Sequence, residues 1–332
     1  MAAAPLIDSY GRPHDSLRVS VTDRCNIRCF YCMPETGVHF VQRSQILDFE
    51  EIERFVRIAV SLGISKLRVT GGEPLLRRDL PLLICRLAAI PGIQDLALTT
   101  NGVLLSDLAA PLYQAGLRRL NVHLDTLDRE RFLRITRRDD LAKVLAGLDA
   151  ANRVGFTRTK LNAVAVKNLV EPDIVPLARY ARANGFEVRY IEFMPLDAQN
   201  LWDRKKVLLA DEIIETLSRE IAPLVPVPDP DPRAPASEYE FADGGGRVGV
   251  IASVSRPFCL NCNRLRLTAD GKLRYCLFAL EEDDVKVLLR SGAPDREIAA
   301  LIRRNVAGKW IGHEINSTQF VAPPRPMYSI GG

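Results

Sequence analysis

The sequence predicts an α/β protein: an incomplete (β/α)6 barrel of TIM type, followed by a C-terminal α+β region. Three observations predict it. Short β-branched runs alternate with amphipathic helical periods from about residue 17 to residue 218, and successive βα units of this kind build a parallel sheet. Glycines, polar groups and cysteines collect in the loops that follow the strands, on the rim where α/β sheets carry their ligands. Composition changes near residue 221, where IAPLVPVPDPDPRAPASEYEFADGGGRVG holds six prolines and three consecutive glycines, the mark of a boundary or long connection.

In chain order the strands are LRVSV (17–21), KLRVT (66–70), DLALTT (95–100), RRLNVHL (118–124), TKLNAVAV (159–166) and EVRYIEF (187–193). The helical periods FEEIERFVRIAVSLG and LAKVLAGLDAANRVG each close on glycine, a common helix stop. Cys85, inside the helical segment DLPLLICRLAAI, is expected as a small buried hydrophobe. Past the boundary, Asp270-Gly271 between two alternating runs predicts a β-hairpin. Residues Glu281 to Val306 have a helical pattern, and the tail APPRPMYSIGG reads as extended. The expected division is residues 1–220 for the barrel and 221–332 for the C-terminal region.

Bulk properties exclude several classes. The 332 residues are 47% hydrophobic and 26% charged, ordinary for a soluble globular protein. A net charge of +4 argues for a local anion site rather than for nucleic acid. The most apolar run, LPLLICRLAAI, is interrupted by Arg86, so no membrane span is expected. The start MAAAPLIDSYGRPHDS lacks the apolar core of a signal peptide. A cytoplasmic setting is therefore expected, which disfavours a disulfide framework.

The seven cysteines are not scattered. Cys25, Cys29 and Cys32 stand in VTDRCNIRCFYC, and Cys259, Cys262 and Cys276 form a second triplet. Structural zinc sites close with four ligands, whereas a catalytic centre keeps a position open. Thiolates also hold iron–sulfur clusters, usually four to a cubane, so three would leave one iron free. Arg264 and Arg266 are two apart beside the second triplet and so share a strand face, an arrangement suited to gripping phosphate. Arg18, Arg68, Lys160 and Arg189 lie in four different strands; facing inward, they would make a positive chamber.

The pattern CxxxCxxC, with Tyr31 before its last cysteine and GGEP (Gly71 to Pro74) after the second strand, resembles the radical S-adenosylmethionine (SAM) superfamily. The second triplet, with LRVTGGEPLLRRDL, TTNG, CNRLRLTADGKLRYCLF and the terminal glycine pair, resembles within it the GTP 3′,8-cyclases (molybdenum cofactor biosynthesis protein A). The resemblance implies two [4Fe-4S] clusters, held by Cys25, Cys29 and Cys32 and by Cys259, Cys262 and Cys276. It implies SAM contacts at Tyr31, Gly72, Glu73, His123 and Met194. GTP contacts are implied at Arg18, Arg68, Thr99, Lys160, Arg189, Arg264, Leu265 and Arg266, and a part in catalysis for Arg264, Arg266, Gly331 and Gly332. By the same resemblance, a radical made from SAM takes hydrogen from C3′ of GTP, and the carbon radical then attacks the guanine at its position 8. The implied partners are a flavodoxin- or ferredoxin-type reductant and a downstream cyclic pyranopterin monophosphate synthase, and a homodimer is compatible. The chain departs from the family at NVHLD, where His123 stands in place of serine. His14, His39 and His313 are expected to be ordinary surface or satisfied residues. The alternative is a two-cluster radical SAM enzyme acting on a peptide, which would not need the basic chamber. A plain iron–sulfur electron carrier would have no use for GGEP.

Overall fold

The computed structural model describes residues 5–331; Gly332 lies outside them. The six expected strands form as β1 (Ser16–Ser20), β2 (Lys66–Thr70), β3 (Asp95–Thr100), β4 (Arg119–His123), β5 (Arg158–Ala165) and β6 (Glu187–Glu192). They pair in parallel and in sequence order. The intervening helices are α1 (Phe49–Ser61), α2 (Leu80–Ala88), α3 (Leu105–Gln114), α4 (Arg129–Thr136), α5 (Leu141–Val154) and α6 (Ile174–Ala183), and α7 (Ala210–Glu220) follows β6. Local chemistry sets their ends. Asp48 and Glu51 close a capping box on α1, and Gly155 ends α5 at φ 108°, a conformation that glycine adopts without strain.

The C-terminal region does not build a separate sheet. It contributes β7 (Leu224–Pro226), β8 (Ser237–Phe241), β9 (Arg247–Ile251), β10 (Arg264–Leu267), β11 (Lys272–Arg274) and β12 (Asp283–Asp284). Strand β9 pairs in parallel with β6, and β10 in parallel with β1. The later strands thus extend both edges of the barrel sheet, in the order β12-β11-β10-β1-β2-β3-β4-β5-β6-β9-β8-β7. The hairpin at Asp270-Gly271 forms as β10 and β11, with Arg266 opposite Arg274.

Three expectations need correction. Cys85 is exposed, because α2 buries Leu80, Leu83, Ile84 and Leu87 and position 85 falls outside that stripe. The helical stretch 281–306 is divided into α8 (Val285–Arg290) and α9 (Asp295–Ala307), parted at Gly292 and Pro294, which break a helix. The tail ends in a short turn of helix, α10 (Met327–Ile330). Among the described residues no helix is long and apolar enough to cross a membrane.

Candidate active site

The first triplet sits in the loop after β1, where the amides of Cys32 and Met33 both turn back to the Cys29 carbonyl at 2.9 Å. Beside it runs the GGEP loop. Gly72 donates its amide to the Thr22 carbonyl and Glu73 to that of Arg24, both at 2.7 Å. The glycines are required by this approach: a Cβ on Gly71 would stand 2.6 Å from the Thr22 oxygen, and one on Gly72 2.4 Å from that of Arg24. The three thiols, Tyr31, Gly72, His123 and Met194 line one cavity of about 200 Å³. Among the described residues no three His, Cys, Asp or Glu side chains converge closely enough for a single metal ion; the thiols open instead onto room for a larger body.

Glu73 is brought to this site but does not line it. Its wholly buried carboxylate accepts from the Leu75 amide, the Thr100 hydroxyl and the Asn101 amide at 2.7–2.9 Å. It ties the ends of β2 and β3 together, and burial pushes its pKa up to about 7. Tyr31 donates its hydroxyl to Asp125 at 2.6 Å, and His123 Nε2 lies 2.5 Å from the same hydroxyl and 3.0 Å from Asp125. Burial pulls the His123 pKa down, but the Asp125 carboxylate outweighs it and holds the ring well above its ordinary value. The chain thus sets an imidazole paired with Asp125 at this wall of the cavity.

A second cavity, of about 160 Å³, is lined by Cys259, Cys262 and Cys276 together with Arg18, Arg68, Arg189, Arg264 and Arg266. It shares Thr99, Asn162, Ile191, Met194 and Met327 with the first. The two cavities are therefore halves of one chamber. Its cations fall into two groups. Lys160 and Arg189 are held by Glu187 and Glu238, at 2.5–3.6 Å, and Lys160 is not part of the lining. Arg18 and Arg68 sink into the chamber with no carboxylate in reach among the described residues; burial first, then neighbouring arginines, lowers the pKa of both. Unpaired buried cations are costly, so this half of the chamber fits an anionic ligand.

Polar side chains point the same way. Thr99 Oγ1, Asn121 Nδ2 and Asn162 Oδ1 are buried around the cavity with no hydrogen-bond partner, a condition that a bound ligand relieves. Thr99 was expected; Asn121 and Asn162 were missed. Their signal was present, since Asn121 shares its strand face with His123 and Asn162 shares its face with Lys160. Leu265, alternating with Arg264 and Arg266, turns away from the chamber into the hydrophobic core.

Around the second triplet, Arg264 donates to Cys262 Sγ at 3.4 Å and Lys309 Nζ lies 3.3 Å from the same sulfur. Burial pushes the Cys262 thiol up, but Arg264 and Lys309 outweigh it and bring its pKa down to about 6. Lys309 was not legible in the sequence, since it is 47 residues from Cys262. Its segment is fixed from the other end of the chain: buried Arg12 donates to the carbonyls of Cys259, Trp310 and Ile311 at 2.6–2.8 Å. His14 is buried against the Arg12 carbonyl, and His313 lines the second cavity. At the chamber's far wall, Arg266 Nη1 donates to the Gly331 carbonyl at 2.5 Å.

A (β/α) rim with a three-thiol loop, an adjoining glycine pair and a second thiol set facing the same chamber defines a radical SAM enzyme. The profile of the radical SAM superfamily matches residues 19–181, and that of Molybdenum Cofactor Synthesis C matches residues 186–315. A GTP 3′,8-cyclase of Rhodopirellula baltica is 48% identical over 98% of this chain and 92% of its own length. One of Streptomyces coelicolor is 47% identical, over 98% and 96%. The chain belongs to the GTP 3′,8-cyclase family. A crystal structure of Streptococcus suis SuiB bound to S-adenosylmethionine superposes with a TM-score of 0.63 over 87% of this chain and 68% of that one. At 14% identity this likeness concerns the fold alone.

Proposed function

We infer that this chain cyclises GTP to 3′,8-cyclo-7,8-dihydro-GTP, the first step of molybdenum cofactor biosynthesis. The observation that carries the reading is the single chamber with a thiol triplet at each end and unpaired guanidinium groups between them. Three thiols at each end, with no fourth cysteine beside them among the described residues, suit a [4Fe-4S] cluster with an open iron. Bound there, the clusters and SAM supply one-electron reduction and a hydrogen-abstracting carbon radical.

The chain's own residues do the rest. In this reading residues 1–220 provide the SAM half and residues 221–332 close the GTP half. Arg18, Arg68, Arg264 and Arg266 draw in the triphosphate as bidentate donors, while Arg189 and Lys160 stand behind them in their acidic pairs. Thr99, Asn121 and Asn162 supply directed hydrogen bonds that fix the nucleoside. Phe193, Met194, Leu196 and Met327 wall off the first cavity, and water is kept from a reactive carbon centre. His123, with Tyr31 and Asp125, sets a fixed polar wall for SAM. The same reading takes a flavodoxin- or ferredoxin-type electron donor, a downstream cyclic pyranopterin monophosphate synthase and a cytoplasmic setting, and is compatible with a homodimer.

The test is SAM cleavage by anaerobically reconstituted protein with and without GTP. GTP should be consumed, and cyclised product should form alongside 5′-deoxyadenosine. SAM cleavage that ignores GTP, with no GTP consumed, would return the peptide-modifying alternative.

A further inference from the structure

The tail from Ile315 to Gly332 carries one charged side chain, Arg325, set in the run PPRP. Prolines fix φ on both sides of it, so anchoring the arginine aims the residues that follow. The anchor is strong. Arg325 meets Asp270 with two parallel contacts, at 3.1 and 2.7 Å, and reaches Glu282 at 3.0 Å. Asp270 is the turn residue of the β10–β11 hairpin and accepts from Thr268 at 2.6 Å. Glu282 is shared with the buried Arg274 at 2.9 Å. These side chains are mostly enclosed, with 22% of Arg325 and 13% of Asp270 exposed, and bidentate pairs of this kind are among the stronger polar contacts.

Beyond the anchor the tail crosses the chamber. Met327 donates its amide to the Leu196 carbonyl at 3.0 Å, and Gly331 donates to Met327 at 3.0 Å. Met327 lines both halves of the chamber, and the Tyr328 backbone bonds to the Cys32 thiol. Gly331 then arrives at φ 91°, where a Cβ would stand 2.8 Å from that of Ser20, and its carbonyl takes Arg266. The tail therefore touches a residue of each thiol-bearing half. Apart from Arg266, its hold there comes from these backbone bonds and from the apolar packing of Met327 and buried Ile330.

We propose that Arg325 is a positioning residue, an ionic latch to Asp270 and Glu282 that seats the glycine tail across the chamber. That the seated tail matters for turnover rests on the reading of Gly331 and Gly332 as part of the GTP site. The latch also couples the tail to the hairpin that carries Arg264, Arg266 and, just past β11, Cys276, so the GTP half and the tail close as one unit.

The experiment is hydrogen exchange across residues 327–331 of the reconstituted holoenzyme, read beside the ratio of cyclised product to 5′-deoxyadenosine. In Arg325→Met the Met327 and Gly331 amides should exchange about tenfold faster or more, as expected for loss of a charged, partly enclosed contact. The amides of α5 should be unchanged, which separates a loosened tail from a loosened fold. The product ratio should fall while 5′-deoxyadenosine still forms. Arg325→Lys, which keeps the charge but not the fork, should recover part of both losses. Unchanged exchange of the tail in Arg325→Met would overturn the latch. A loosened tail with an undiminished product ratio would support the latch and overturn the part given to the glycines.

Discussion

The two cysteine triplets face one chamber, yet Cys25 of the first and Cys262 of the second sit in opposite electrostatic surroundings. Around the first, burial, the nearby Glu73 carboxyl and Cys29 push Cys25 up to about 12, against hydrogen bonds from the Ile27 backbone and, at 3.6 Å, the Asn101 side-chain amide. Around the second, Arg264 and Lys309 bring Cys262 down to about 6. Cys25, and Cys32 with it, thus keep their protons until iron displaces them. In the second, Cys262 is poised as thiolate while burial raises Cys259, and Arg264 and Lys309 supply positive charge for a phosphate-bearing ligand. Cysteine spacing says nothing of this difference, which comes from what the fold packs beside each loop.

The largest effect should come from removing one triplet at a time. Reconstituted wild-type protein should hold about eight irons, and either triple alanine variant about four. Loss of Cys25, Cys29 and Cys32 should abolish 5′-deoxyadenosine formation. Loss of Cys259, Cys262 and Cys276 should leave it and abolish cyclised product. Stoichiometric zinc without iron would break the comparison at its root.

Deleting Gly331 and Gly332 should separate the two halves without touching either thiol set. Iron content and 5′-deoxyadenosine yield should be retained while cyclised product disappears on chromatography. Full product from the shortened chain would show those residues to be a loose end.

A graded effect is expected from Arg266→Ala, which removes one enclosed cation from the GTP half alone. GTP affinity should fall by about 2–4 kcal/mol, with SAM affinity nearly unchanged, both measured by equilibrium binding. Equal loss of the two ligands would mean that the halves are not electrostatically distinct.

The smallest effect tests the thiols directly. After chelation of iron, Cys262 should react with iodoacetamide along a curve with its midpoint near pH 6, because its thiolate dominates above the lowered pKa. Cys25 should stay unreactive through neutrality, since its raised pKa keeps the proton on sulfur. Lys309→Met should slow Cys262 labelling at pH 7 by roughly tenfold or less, read by mass spectrometry. No change in that variant would assign the whole shift to Arg264.

Much of the frame was legible because it is written locally. Alternation and helical period placed KLRVT and DLALTT on the observed strands β2 and β3 residue for residue. The turn chemistry of Asp270-Gly271 placed the hairpin, and cysteine spacing with the glycine pair placed both ends of the chamber. Side-chain direction was less secure. Leu265 and Cys85 each had the right element and the wrong face, since a one-residue phase decides which side of a strand or helix meets the core.

By itself the sequence determined the six βα units, the two thiol triplets and the arginine pair beside the second, all encoded within runs of a few residues. Tertiary structure alone decided that β9 and β10 would extend opposite edges of the barrel sheet. It also decided that Lys160 and Arg189 would be neutralised while Arg18 and Arg68 were not, and that Arg12 would brace the loop of Cys259 across 247 residues. These choices depend on which distant charges and backbone groups share a low-dielectric interior. There a pairing partner or its lack changes a side chain's chemistry, and no local pattern records that partner.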